Sequence, residues 1–331
     1  MSDINFTRLD NYTESVGIRN NDRIDEVFSL SQVELRHIQE EEEEFLEHSN
    51  ENVLFDHFNS QKDGLFEFTG FDSKDLHVLY SYIEKAVNTS KRGRKTKFTP
   101  LDQFILFLHF LKSYQRLESM KPILHIEAST YQRIILKFLN EASPVLEDRL
   151  ITKIAKECQI ITKEDFPNAG YVVDATVQKI NEPDLSWEIS RQYFSGKHYI
   201  YCLKSQVIVT LQGLVVHIVS GIKGADHDKS IFNESIDDFL ENTSRLEGEN
   251  QIIADKGYVD SDTDVLITPV KGAYYTLSRD ALLHNDKVSK IRIIIENFFG
   301  RLKCRYRIMS EQYRGSHGCY PAIFKTCCAL V

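Results

Sequence analysis

Residues 170–178, with the sequence Gly-Tyr-Val-Val-Asp-Ala-Thr-Val-Gln, place one carboxylate, Asp174, at the point where an apolar run stops. Aromatic and β-branched residues on both sides of the acid are typical of a buried strand. An ionised carboxylate among apolar side chains is costly unless a metal ion or a cation compensates its charge. The stretch therefore predicts a strand whose acid has a charged partner elsewhere in the chain.

Two later segments repeat this pattern. Residues 251–258 contain an apolar run that ends in Asp255, and residues 291–303 form an apolar helix pattern that contains Glu296. Three acids embedded in apolar sequence indicate one shared site. Two hard cations such as Mg²⁺, held by carboxylate oxygens, can activate a water on one side of a phosphodiester and stabilise the leaving oxygen on the other. Acids at the ends of two strands and on a later helix suit that chemistry.

The length and composition predict a globular protein with more than one folded unit. The chain has 331 residues, of which 42% are hydrophobic, and this is enough for a sizeable core. Its longest apolar run, residues 104–111, is far shorter than the roughly 20 residues of a membrane span. The first residues are polar and lack an apolar signal core, so we expect neither membrane contact nor secretion.

The six cysteines show no CxxC pair and predict reduced thiols. A zinc site formed by His317, Cys319 and Cys327 is the alternative, although this spacing matches no standard ligand pattern.

Negative charge is concentrated at the start of the chain. The net charge is −9, but residues 1–90 contain 20 acidic and 7 basic residues, a net charge of −13, which leaves +4 for the rest. We predict that residues 1–90 form an acidic arm that is partly disordered. The alternative is a self-masking arm that covers basic surface elsewhere in the chain.

A short basic run, residues 91–97, follows the arm. It contains Arg92, Arg94 and Lys95 and no acid. Such runs serve as phosphate contacts or nuclear-import signals, and they also occur as plain solvated linkers.

Three helices with helix-turn-helix spacing are predicted after the basic run. Thr99 as the N-cap and Pro100 at the first helical position indicate the start of the first helix. A second short helix is expected near residues 117–124 and a third from about residue 130 to residue 140. This spacing predicts a small helical, helix-turn-helix-like DNA-binding domain over residues 91–157.

The third helix offers polar residues for such a role. Gln132, Arg133 and Lys137 are expected to face outward while the apolar residues between them pack. A helical bundle that only packs on its neighbour is an equal alternative, because Arg and Lys are ordinary on an exposed helix face.

The pattern changes to strands after residue 157, and we predict a third domain over residues 165–331. The order of strands and helices indicates an α/β fold, a mixed sheet flanked by helices. The predicted strands are 171–180, 193–210 with a break near Lys204, 214–220 after a hairpin turn at Gln212-Gly213, 251–254 and 265–270. A polar loop at 221–228 and a helix with Ile231, Phe232, Ile236, Phe239 and Leu240 on one face precede the fourth strand.

From about Arg92 to its end, the chain resembles a DDE transposase of the PIF/Harbinger type. The resemblance rests on five segments in order: Tyr-Val-Val-Asp-Ala-Thr (171–176), Tyr-Phe-Ser-Gly-Lys-His-Tyr (193–199), Lys-Gly-Ala-Asp-His-Asp (223–228), Ala-Asp-Lys-Gly-Tyr (254–258) and Arg-Ile-Ile-Ile-Glu-Asn-Phe-Phe-Gly-Arg-Leu-Lys (292–303). Ala175 departs from the family pattern, in which a Gly is usual.

The resemblance implies an RNase H-like catalytic core. It makes Asp174, Asp255 and Glu296 the catalytic, metal-binding acids for Mg²⁺ or Mn²⁺, and Asp228 a further metal-associated acid. The residues themselves leave alternatives open: Asp228 as a helix N-cap, Asp255 as a turn residue and Glu296 as a surface position. The apolar neighbours of Glu296 are expected to leave it only a narrow polar face.

The resemblance also implies a function on DNA. We predict a DNA transposase or a transposase-derived endonuclease that cleaves and transfers strands at transposon ends, and the alternative is a domesticated DNA-binding or scaffolding protein without the chemistry. Arg292, Arg301 and Lys303 lie in a basic segment that offers phosphate contacts. A Myb-like DNA-binding partner, self-association and a nuclear location, or a cytoplasmic one if the source is not eukaryotic, are further expectations.

Overall fold

The computed structural model of the protein describes residues 52–88, 98–243, 251–259 and 265–331. The basic run at 91–97 and most of the predicted acidic arm lie outside these residues. The chain divides into two compact units, each built from discontinuous segments. The first unit comprises the chain up to Leu146 together with Arg305–Ile323, and the second comprises Glu147–Cys304 together with Phe324–Val331. The three predicted domains, by contrast, are continuous in sequence.

Three helices lie within residues 53–87, in the segment predicted to belong to the acidic arm. The helices are α1 (Val53–Asn59), α2 (Gly64–Thr69) and α3 (Ser73–Val87). In α3, apolar residues at helical spacing form one buried face: Leu76, Leu79, Ile83 and Val87. The carboxylate of Asp72 accepts a hydrogen bond from Asp75 N at the start of α3. This apolar spacing, together with an N-cap, explains why the segment folds despite its acidic composition.

The predicted helix-turn-helix elements are present in the first unit. They are α4 (Pro100–Ser113), a 3₁₀ turn (Leu117–Met120) continued by α5 (Lys121–Leu124), and α6 (Ala128–Glu141). The Thr99 side chain accepts a hydrogen bond from Asp102 N, so the predicted N-cap is confirmed. Asp102 in turn accepts hydrogen bonds from Leu54 N and Phe55 N. These bonds join the start of α1 to α4.

On α6 the prediction for Gln132 is wrong. Its side chain is buried, and its Nε2 has no hydrogen-bond partner. Arg133 is exposed as predicted, whereas Lys137 is half-buried, with its ammonium near the Phe138 ring. Apolar residues lie on both sides of Gln132, at positions 131, 134 and 135. The buried face of α6 is therefore wide enough to include it.

The second unit is built on a mixed sheet. Its strands are β1 (Ala169–Lys179), β2 (Phe194–Ser195), β3 (Ile200–Thr210), β4 (Val215–Lys223), β5 (Gln251–Ile253) and β6 (Leu266–Ile267). β3 pairs antiparallel with β1, β2 and β4, while β1–β5 and β5–β6 are parallel pairs. The order β4-β3-β1-β5-β6 is consistent with an RNase H-like fold and confirms the predicted α/β class.

Three details of the predicted strands are wrong. β3 continues through Lys204, and the break in the second predicted strand falls at residues 196–199 instead. β4 extends to Lys223, so the loop predicted from residue 221 begins only at Gly224. β6 is shorter than predicted, with two residues. Lys204 does not end the strand because its ammonium is paired, as described below.

Helices flank this sheet. After α7 (Ser143–Glu147), whose first four residues belong to the first unit, the second unit contains a π-helical turn (Asp148–Thr152), α8 (Lys153–Glu157), α9 (Trp187–Ser190), α10 (Asp228–Thr243) and α11 (Arg279–Arg305). Side chains of α10 and of the sheet share a core cluster that includes Tyr171, Val173, Phe232, Ile252 and Ala254. The chain ends with α12 (Arg307–Ser310) and α13 (Tyr320–Ala329). Among the described residues, no helix has the length and apolarity that crossing a membrane requires.

Candidate active site

Asp174 lies in β1, between β3 and β5. Tyr171, Val172 and Val173 before it are fully buried, and the Asp174 side chain is 21% exposed. Oδ1 accepts a hydrogen bond from the N–H of Ala175, at 2.8 Å. Burial raises the pKa of Asp174, and the Ala175 N–H and the charge of Arg292 oppose this shift. The sequence predicted a charged partner for Asp174 without identifying it, and in the structure this partner is Arg292.

Asp255 meets Asp174 because of the register of two parallel strands. Val172 of β1 pairs with Ile253 of β5, and each acid lies two residues beyond its paired position. Tyr171 and Ile252 face the core cluster shared with α10. Side chains alternate along a strand, so both acids project from the opposite face of the sheet. Asp255 immediately precedes a 3₁₀ turn, but its side chain makes no capping hydrogen bond to that turn. A role in the turn therefore does not explain why an acid stands at this position.

Glu296 lies on α11, whose apolar face is buried through residues that include Ile291, Ile295 and Phe298. The Glu296 side chain is 56% exposed. The exposed face around it also includes an apolar residue, Ile293, which was expected to pack. Glu296 is thus the most solvent-accessible of the three acids.

Arg292 contacts all three acids. Its Nη2 lies 3.3 Å from Asp174 Oδ2 and 3.7 Å from Glu296 Oε1, and its Nη1 lies 3.1 Å from Asp255 Oδ1. The side chain is 17% exposed. The structure therefore brings the predicted acids together around one guanidinium. From its sequence Arg292 is predicted only as a phosphate contact, and nothing in the spacing of the residues indicates this central position.

Asp228 has a different partner, Lys204 of β3. Lys204 Nζ lies 3.0 Å from Asp228 Oδ1 and donates a hydrogen bond to the Asp226 carbonyl at 2.6 Å. The two side chains are 8% and 21% exposed. Asp228 is the first residue of α10, whose first turn begins with a hydrogen bond from Ile231 N to the His227 carbonyl. The ion pair with Lys204 is the role that the structure shows for Asp228.

Gln206 connects the Asp228 segment to the Asp255 turn. Its Nε2 donates to the Asp228 carbonyl at 2.9 Å and to the Tyr258 hydroxyl at 3.0 Å. Burial raises the pKa of Tyr258 well above its ordinary value, and the charges of Asp174 and Asp228 act in the same direction. Sequence reasoning missed Lys204 and Gln206. Their only sequence signal is a run of three polar residues, 204–206, between two apolar runs of the same strand.

The remaining predicted basic residues lie in different environments. Arg301 is exposed, with its guanidinium near the Phe298 ring. Lys303 is half-buried, and burial lowers its pKa. Arg133 donates to Thr130 Oγ1 on α6 in the first unit. Arg92, Arg94 and Lys95 lie outside the described residues.

The three carboxylates offer hard oxygen donors, which suit Mg²⁺ or Mn²⁺. Within the described parts of the chain, however, no group of three or more His, Cys, Asp or Glu side chains is spaced to hold a metal ion. Arg292 lies between the acids instead. The three carboxylates are thus chemically suited to bind a divalent ion. In this structure the guanidinium of Arg292 occupies the point where they converge.

A mixed sheet with two strand-end acids and a third acid on a flanking helix defines a class of α/β proteins with a three-carboxylate site. Residues 173–331, which contain all three acids, match the model of the DDE superfamily endonucleases. The chain is similar to the probable transposase for insertion sequence element IS702 of Microchaete diplosiphon, with 25% identity over 230 residues, or 69% of this chain and 78% of that protein. No solved structure matches the chain. The two likenesses support a transposase-like function.

Proposed function

We propose that the protein is a transposase or a transposase-derived endonuclease that cleaves DNA at a site formed by Asp174, Asp255 and Glu296. The observation that carries this proposal is the parallel register that sets two acids side by side, with the third contributed by α11 through Arg292. Neither likeness assigns these residues. Their convergence in the structure supports the assignment that the sequence pattern suggested.

Asp174, Asp255 and Glu296 would hold Mg²⁺ or Mn²⁺. When bound, two such ions activate a water for attack on a phosphodiester and stabilise the leaving oxygen. The sheet fixes Asp174 and Asp255, because both follow buried, paired strand positions. Glu296 is free to adjust, because more than half of its side chain is exposed. Asp228 acts as a positioning residue in this proposal, since its carboxylate is already paired with Lys204.

Arg301 and Lys303 on α11, and Arg133 and Lys137 on α6, are the proposed phosphate contacts among the described residues. Arg301 and Arg133 are the exposed members of this set. A basic side chain that neutralises a phosphate releases counterions from the DNA. On duplex DNA, each such contact makes the slope of log affinity plotted against log salt concentration steeper by about 0.9. Arg301→Ala should flatten this slope by about that amount. Glu234→Gln, a change at an exposed acid of α10, should leave the slope unchanged or steepen it.

The basic run belongs to the same proposal. Replacing Arg92, Arg94 and Lys95 by Ala should flatten the salt slope and weaken binding to all sequences about equally. An unaltered slope would make the run a linker or an import signal. The Harbinger-type subfamily, with its Myb-like partner and nuclear location, stays a prediction.

The second candidate is a DNA-binding or scaffolding protein that kept the fold without the chemistry. The observation that favours it is the guanidinium of Arg292 at the point where the acids converge, which a non-catalytic protein could keep permanently. Cleavage activity distinguishes the two candidates.

Nicking of supercoiled DNA tests the proposal. The wild-type chain should convert plasmid to the open circle with Mg²⁺ or Mn²⁺ and not with EDTA. Asp174→Asn, Asp255→Asn and Glu296→Gln are nearly isosteric and should each abolish nicking while the circular dichroism spectrum is kept. Glu234→Gln is the matched control and should nick like the wild type. Full nicking by any of the three variants would remove that residue from the site.

A further inference from the structure

Arg292 is a cation that the fold places among three acids. The guanidinium commits both of its terminal nitrogens to them, Nη1 to Asp255 and Nη2 to Asp174 and Glu296, at 3.1–3.7 Å. Its Nε is buried and has no hydrogen-bond partner. In a solvent-exposed arginine, Nε would donate a hydrogen bond to water. We therefore attribute the inward position of the Arg292 side chain to its contacts with the three acids.

The charges at this point do not balance. Three carboxylates face one guanidinium, which leaves two negative charges without a partner in the contacts of Arg292. The nearby acid Asp228 does not alter this balance, because Lys204 pairs with it. Carboxylates this close repel one another, and a single cation compensates only part of the repulsion. The cluster is therefore held by Arg292 and still attracts further positive charge.

We infer that Arg292 is the resident counter-cation of the acid cluster and that a divalent ion must displace it, so that Arg292 sets the metal concentration at which the site fills. This inference rests on the proposed function, in which the three acids are the metal ligands. The guanidinium occupies the shared position and competes for the same oxygens.

A purely structural role for Arg292 predicts the opposite result. If the guanidinium only held the ligands in place for the metal, its removal would weaken metal binding. If it competes with the metal, its removal strengthens metal binding and destabilises the metal-free protein, because the acids are then left to repel one another. A ligand that binds only the folded state raises stability by its concentration relative to Kd, so the two roles also differ in thermal shift.

Arg292→Met tests the inference in the full-length chain. Its Kd for Mn²⁺, measured by isothermal titration calorimetry, should be at least about 10-fold lower than that of the wild type, which corresponds to about 1.4 kcal/mol. Its melting temperature in EDTA should be lower, and the rise caused by Mn²⁺ should be larger. Arg279→Met, at the exposed first residue of the same helix, is the matched control and should leave the Kd for Mn²⁺ unchanged.

Arg292→Lys keeps the inference testable if the Met variant does not fold. One ammonium lacks the planar fork that lets a guanidinium reach several carboxylates, so the Lys variant should bind Mn²⁺ with an affinity between those of the wild type and the Met variant.

Equal or weaker Mn²⁺ binding by a folded Arg292 variant would overturn the inference alone. Mn²⁺ binding that survives in Asp255→Asn, or that is absent from wild type and variants alike, would overturn the proposed function together with it.

Discussion

Lys204→Met should destabilise the second unit, because it leaves the Asp228 carboxylate without its cation. Nζ and Oδ1 lie 3.0 Å apart, and Lys204 is 8% exposed. At an effective dielectric constant of about 20, this attraction is about 5 kcal/mol before the cost of desolvation. Removing one partner of a buried pair costs about 3–5 kcal/mol. The low end, about 3 kcal/mol, applies here, because Asp228 is 21% exposed to water.

Thermal unfolding followed by circular dichroism measures this destabilisation. For a unit of this size, 1 kcal/mol corresponds to roughly 2–4 °C, so Tm should fall by roughly 6–12 °C. The double variant Lys204→Met/Asp228→Asn should recover most of the stability, because neither partner is then left charged. A destabilisation below about 1 kcal/mol, or a double variant no more stable than the single one, would show that the ion pair between Lys204 and Asp228 does not stabilise the second unit.

The same pair decides the role of Asp228. Asp228→Asn should lower Tm by a similar amount, since Lys204 is then left unpaired. As a positioning residue, it should weaken nicking less than the changes at Asp174, Asp255 or Glu296, with an unchanged Kd for Mn²⁺ in calorimetry. A Kd raised as far as in Asp255→Asn would identify Asp228 as a ligand instead.

Two further predictions concern stability. A Cβ at Gly224 would lie 2.3 Å from a backbone oxygen, whereas a Cβ at Gly300, in α11, would have nothing within 4 Å. In urea unfolding, the free energy of unfolding should therefore fall by at least about 2 kcal/mol in Gly224→Ala. It should rise by about 0.5–1 kcal/mol in Gly300→Ala. Burial lowers the pKa of His217 from 6.5 to about 4, so the unfolded chain binds a proton first as pH falls through this window, and up to about 3 kcal/mol of stability is lost between these values. His217→Gln should flatten this part of the stability–pH curve, and an unchanged curve would show that His217 is accessible to water.

The sequence predicted the parts of the fold that depend on local patterns. Thr99 and Pro100 indicated the start of α4, because capping and the fixed φ of proline act within one turn. The apolar runs before Asp174 and Asp255 indicated two strand ends, since alternation and burial leave a direct signal in composition. That the two acids meet follows from their equal offsets in a parallel pair, and this register is known only once the pairing is known.

Contacts between distant residues could not be predicted in this way. The charge of Lys204 suggested a break in the strand, because burying a charge in an apolar run is ordinarily unfavourable. Its ion pair with Asp228, 24 residues later, compensates for this burial. Arg292 lies 118 residues from Asp174, and only the folded sheet shows that its side chain reaches the acids. The polarity of Gln132 predicts a surface position, although the helix face around it is apolar.

Exchanging a ligand atom shows whether the acids bind the metal ion that drives cleavage. Asp255→Cys replaces a hard oxygen donor with a thiolate, which favours softer ions over Mg²⁺. This variant should not nick DNA in Mg²⁺ and should regain nicking in Mn²⁺ or Cd²⁺, whereas Asp255→Ala should stay inactive with every ion. Full nicking by Asp255→Cys in Mg²⁺, or nicking by Asp255→Ala with any ion, would contradict the claim that this carboxylate holds the catalytic metal.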